Sequence, residues 1–161
     1  MDHTADISLL IKKIPIFLDL TTGQVEKLSA IARLMEINPG ESPIHEGDKL
    51  GDVFFLLEGE AKVEIHVPTK GLVETSRLGA FDILGWSGMT SVVRQRTGTV
   101  TAITHCWLLR LNRELLSDLC EEDHNLGYLF YRRLANVVAT SFLTTRLEMM
   151  NFLVRVENHA E

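Results

Sequence analysis

The hydrophobic positions along this chain change period twice, and the two changes divide it into three zones. In residues 4–33 the spacing is helical: Ile7, Leu9, Leu10 and Ile14 form one pattern, and Val25, Leu28, Ile31 and Leu34 form a second. Thr21-Thr22-Gly23-Gln24 precedes the second pattern and has the form of a capping box, while Pro15 separates the two helices. From about Met35 to Leu111 the runs become short and β-like, punctuated by Pro39-Gly40, Glu46-Gly47-Asp48, Glu58-Gly59-Glu60, Lys70-Gly71 and Leu78-Gly79. Ala61, Val63, Ile65 and Val67 alternate with Lys62, Glu64 and His66, which predicts a strand with one wet face. Val53–Leu57 is continuously apolar, the pattern of a strand buried on both faces or of a helical core segment, and its flanking glycines favour the strand. Thr97–Thr104 and Cys106–Leu111 close the β region.

The third zone is helical again. Asn112 is placed to cap residues 113–120, and Asp123 to cap a long helix running to about Phe152. Leu126, Phe130, Leu134, Val137, Val138, Phe142, Thr145, Met149 and Phe152 line one broad stripe of it, widened by Leu143, Leu147 and Met150. That stripe is wider than one small barrel can cover, so it reads either as ordinary core packing or as the seam of a homodimer. The expected organisation is one domain in three parts: N-terminal helices over 1–34, a β core over 35–111, and C-terminal helices over 112–161. The fold class is α+β, mainly β, built as a sandwich or barrel.

Length and charge narrow the function. A chain of 161 residues, 45% hydrophobic, can bury one good core. The net charge of −6 gives no general attraction to nucleic acid or to an anionic membrane. No apolar run reaches a membrane span, and residues 1–15 lack the pattern of a secretory signal, so the expected location is cytoplasmic. Cys106 and Cys120 lack metal or redox spacing and read as core thiols. The six histidines show no paired spacing, so neither a metal nor a cofactor is expected. His105 beside Cys106 keeps a haem or redox sensor open as a minor alternative, although strand neighbours face opposite ways. Ser87 in Gly-Trp-Ser-Gly lacks the final glycine of a nucleophile elbow, and no enzyme is expected.

The candidate chemistry lies in two short stretches. Gly85-Trp86-Ser87-Gly88-Met89 can open a short helix whose amides and glycines let an oxyanion approach the main chain. Arg96-Thr97-Gly98-Thr99-Val100 supplies a guanidinium, suited to bidentate phosphate recognition, on what reads as the first residue of a strand. Arg94 competes for that role if the loop is read two residues differently.

Taken in order, Glu46-Gly47-Asp48, Phe54-Phe55-Leu56-Leu57-Glu58-Gly59, Leu78-Gly79 with Leu84-Gly85, and Arg96-Thr97-Gly98-Thr99-Val100 resemble the cyclic-nucleotide-binding domain of the catabolite-activator superfamily. The likeness spans roughly residues 14–155 and implies a jelly-roll-like double-stranded β-helix, or β-roll, between N-terminal helices and a long C-terminal helix. It implies that Arg96 holds a cyclic phosphate, that Thr97 adds a hydroxyl, and that Gly85, Trp86, Ser87 and Gly88 complete the cradle. The family usually has a glutamate for the ribose 2′-hydroxyl where Trp86 stands, and an indole cannot accept that bond. Trp86 is then a stacking residue of the pocket, a core anchor beneath the cassette, or a plug. Thr140, Ser141, Thr144 and Thr145 are placed for a base, for a dimer seam, or for bonds to their own helix. The resemblance implies a non-enzymatic sensor of cAMP, cGMP or a related anion that signals through the long helix to a protein partner, with Arg132, Arg133 and Arg146 on the exposed face or merely solvated. The rival is a ligand-less interaction or dimerisation protein that keeps the fold.

Overall fold

The computed structural model describes residues 6–158, with side chains as far as Asn151, so Phe152 of the expected stripe lies outside the described side chains. Asp6 accepts a hydrogen bond from the Ser8 amide and starts α1, Ile7–Ile11. Pro15 opens a single 3₁₀ turn, Pro15–Phe17, where its missing N–H has no cost. The capping box forms as read: Thr21 Oγ1 accepts from the Gln24 amide at 3.3 Å, Gln24 Oε1 accepts from the Thr21 amide at 3.0 Å, and α2 runs Thr22–Ile31. Strand β1, Ala32–Ile37, follows directly, so the β region begins at Ala32 rather than Met35 and Leu34 belongs to a strand. The ladder decides this boundary. Ala32 to Ile37 pairs antiparallel with Leu111 to Cys106 of β7, Cys106–Leu111, and that pairing outweighs a continued helical pattern.

The remaining strands are β2 (Val53–Glu58), β3 (Ala61–Val67), β4 (Gly71–Leu78), β5 (Ile83–Leu84) and β6 (Thr99–Ala102). They form two antiparallel sheets, ordered β1-β7-β2-β5 and β4-β3-β6, which make the β-roll. The continuous apolar run of β2 now has its reason. Val53, Phe55 and Leu57 face a core shared with the helices, while Phe54 and Leu56 face the interior of the roll. On β3, Lys62, Glu64 and His66 take the outer face, but Glu64 is covered there instead of wet. A register shift against β4 follows Val63, and Glu64 bonds Lys62 Nζ at 2.7 Å.

The C-terminal helices dock by their predicted caps. Asn112 accepts from the Leu115 amide and begins α3, Arg113–Glu122. Asp123 accepts from the Leu126 amide at 3.0 Å and from Gln24 Nε2 at 3.1 Å, which ties the start of α4, His124–Asn158, to α2. The Phe17 ring lies 4.9 Å from Phe55 and is stacked 6.1 Å from Phe130. Arg133 is not a free surface charge: its guanidinium donates to the carbonyls of Ile16 and Leu18 and pairs with Asp19. Leu126, Phe130 and Leu134 are buried, whereas Phe142, Leu143, Leu147, Met149 and Met150 are each more than half exposed. The stripe therefore serves the core in its first part only.

Candidate functional site

Gly85 sits in the left-handed region at φ +74° and caps a 3₁₀ helix, Trp86–Met89. The amide of Gly88 returns to the Gly85 carbonyl at 3.0 Å, and the first amides of such a turn have no partner inside it. The residue must be glycine for a second reason. A Cβ there would fall 2.5 Å from Arg96 Nη1 and 3.0 Å from Ile44 Cδ1.

Arg96 is not the first residue of a strand; it precedes β6 in a segment held by the loop after β1. Its amide donates to the Asp48 carbonyl at 2.8 Å, its carbonyl accepts from the Gly47 amide at 2.9 Å, and the adjacent Gln95 bridges Lys49. This anchoring turns the side chain inward. Nη1 donates to the Gly85 carbonyl at 2.8 Å and Nη2 to the Asp52 carbonyl at 2.6 Å, and the residue is only 4% exposed. Burial lowers its pKa from the ordinary value; Asp52 opposes that shift, Arg113 adds to it and Asp48 opposes it. Two of the five guanidinium N–H groups make these bonds. Arg94 is exposed and, unlike Arg96, is not among the residues that line the cavity between the two sheets and α4.

Between the two sheets and α4 lies a cavity of about 310 Å³. Arg96, Thr97, Gly85, Trp86 and Ser87 line one side of it. Gly88, the sixth expected residue, is not in the lining; it packs between Arg113 and Arg96, where a Cβ would meet Arg113 Cδ at 3.3 Å and Arg96 Nη1 at 3.4 Å. The apolar walls come from Ile44 and Val100 and from the inward residues of β3, Val63 and Ile65, with Thr75 and Ser76 of β4 beside them; the Thr75 hydroxyl donates to the Val63 carbonyl at 3.2 Å. Ser141 and Thr145, one turn apart on α4, complete the lining, whereas Thr140 and Thr144 point elsewhere.

Trp86 combines two of its readings: it lines the cavity and it packs against the helix-side core. A cavity stays open beside it. Sequence reasoning gives no site role to Asp52 or Asp48, the carboxylates that balance Arg96: Asp52 belongs to no motif, Asp48 reads only as part of the Glu46-Gly47-Asp48 turn, and the fold alone brings both near the guanidinium. Asp52 itself is paired with Arg110. His105 and Cys106 face apart, His105 Nε2 to Glu36 at 2.6 Å and Cys106 Sγ to the Glu60 carbonyl at 3.3 Å. Among the described residues no group of three or more His, Cys, Asp or Glu is placed to hold a metal.

The fold is that of a β-roll module flanked by helices, with a cavity bounded by the cassette and α4. The family model described as the cyclic nucleotide-binding domain matches residues 34–123, more than half of the chain, and the chain belongs to that family. A cyclic nucleotide-binding domain from Methylobacillus flagellatus is similar in structure, with a TM-score of 0.77 at 23% identity over 91% of this chain and 82% of that one. The regulatory domain of Toxoplasma gondii protein kinase A, solved with cAMP, superposes with a TM-score of 0.68 at 17% identity over 81% of this chain and 49% of that one. In sequence, a Rhodopseudomonas palustris protein named "Putative potassium channel protein" is 26% identical over 118 residues. That match covers 73% of this chain but only 28% of the relative's length. Among the described residues no helix is long and apolar enough to cross a membrane.

Proposed function

We propose that this chain is a non-enzymatic, cytoplasmic sensor module whose cavity binds an anionic ligand, a cyclic nucleotide such as cAMP or cGMP. One observation carries the reading: a single cavity is bounded by a buried arginine, a glycine cassette and the long helix. The Arg96 guanidinium, the Thr97 hydroxyl and the amides opening the Trp86–Met89 turn offer positive potential to a phosphate. The apolar walls suit a ring. The kinase regulatory domain solved with cAMP shares the fold, which supports the ligand class.

Ser141 and Thr145 link the ligand to the output. A ligand that touches them alters the relative free energy of α4 positions in proportion to its differential affinity for each. The exposed Phe142, Leu143, Leu147, Met149 and Met150 then form the seam of a homodimer, and the signal passes through it to a protein partner.

The rival reading, a ligand-less interaction protein, draws on the two main-chain bonds that Arg96 already makes and on the core packing of Trp86. Calorimetric titration with cAMP and cGMP separates the two. Saturable heat that falls at least tenfold in affinity in folded Thr97→Ala and Arg96→Lys variants supports the sensor; no heat from either nucleotide supports the rival.

A further inference from the structure

The lining of the cavity is unusual in what it offers a ligand's donors. Among the described residues that line it, Arg96 is the one charged residue, and the other polar ones are Thr75, Ser76, Ser87, Thr97, Ser141 and Thr145 together with Trp86. None of the described lining residues carries a carboxylate or a side-chain amide. The nearby carboxylates are spent elsewhere: Asp52 pairs with Arg110, and Glu64 lies on the outer face of β3 with Lys62. An anion therefore meets strong donors, while any hydroxyl on the ligand meets only neutral acceptors, each also able to stay bonded to its own neighbours or to water.

We propose that the cavity recognises its ligand through the anionic group and the apolar face of its ring and is indifferent to the sugar 2′-hydroxyl. This rests on the sensor reading above and names its ligand class more narrowly: ribo and deoxyribo cyclic nucleotides are equivalent occupants. Whichever way the sugar lies, the hydroxyl exchanges a bond to water for a bond to a neutral group. A charged acceptor would instead shift affinity about 10- to 150-fold. Trp86 adds to the effect, since its ring gives the sugar an apolar surface and its indole N–H can only donate.

The test is calorimetric titration of the full chain with cAMP, cGMP and the 2′-deoxy form of each under one buffer condition. The expected result is saturable binding of at least one ribonucleotide, with its 2′-deoxy form binding at a dissociation constant less than tenfold apart. A difference of tenfold or more between a bound ribonucleotide and its 2′-deoxy form overturns the inference and leaves the sensor reading standing. Absence of saturable binding by all four compounds overturns both.

Discussion

Replacing Arg96 with methionine separates a structural role for this residue from a purely ligand-binding one. The guanidinium donates to two main-chain carbonyls, Gly85 at 2.8 Å and Asp52 at 2.6 Å, from a position only 4% exposed. Methionine keeps most of the stem and removes every donor. The part-buried Asp52 carbonyl loses this partner at a cost of about 1–3 kcal/mol, while the Gly85 carbonyl keeps the Gly88 amide and loses only its second bond, about 0.5–1.5 kcal/mol. Removing a buried cation offsets part of that cost, because its desolvation is relieved and Asp52 keeps Arg110. A net loss of about 2–3 kcal/mol follows. For a chain of this size each kcal/mol moves the midpoint by about 2–4 °C, so ligand-free Arg96→Met melts about 4–12 °C below wild type. Thermal unfolding followed by circular dichroism reads this directly, and urea unfolding with an unchanged slope confirms that stability alone has moved. Arg94→Met, at an exposed position, serves as the control and stays within about 0.5 kcal/mol of wild type. An Arg96→Met protein as stable as that control would refute the account of the cassette.

Three further outcomes are expected. The Asp123 carboxyl is held below the usual range by the Leu126 amide and then by Gln24, so its contribution is complete above the unfolded carboxylate pKa and lost as pH falls through the folded one. Asp123→Asn is thus less stable than wild type at pH 7, and urea midpoints of the two converge below about pH 4; a gap that widens in acid contradicts this. Burial pushes the Cys120 thiol up to about 11 and raises that of Cys106, so a disulfide reagent at pH 8 reacts with both only in denaturant; rapid native-state labelling contradicts their placement. Leu143→Glu with Leu147→Glu removes two exposed leucines from the proposed α4 seam, and sedimentation should turn a wild-type dimer into a monomer of unchanged helix content.

Much of this architecture is legible in the sequence because local signals agree with the fold. The Thr21 box, the Asn112 and Asp123 caps, the alternation over Ala61–Val67 and the glycine-marked turns each act within a few residues. The boundary at Ala32 is different, since it is set by pairing with Leu111 at the far end of the chain. Glu64 follows the same logic: its alternation predicts a wet face, and Lys62 with a shifted β4 covers it. Arg133 reads as a solvated charge on the helix, yet the carbonyls of Ile16 and Leu18 claim it, a contact across more than a hundred residues. In the site, the spacing of glycine and arginine located the cassette, but the direction of the Arg96 side chain depends on Asp52 and Gly85, which no motif joins. The role of Gly88 shifts for that reason too, from lining to packing between two arginines.

Binding of a cyclic nucleotide in the one cavity bounded by the cassette and α4, as proposed, is read out residue by residue when ¹⁵N-labelled protein is titrated with cAMP and cGMP and assigned amide resonances are followed. Saturable shifts are expected at Gly85–Gly88 and Arg96–Thr97, with Ser141 and Thr145 moving in step at the same dissociation constant. Saturable shifts confined to other surfaces, or none with either nucleotide, would contradict the proposal.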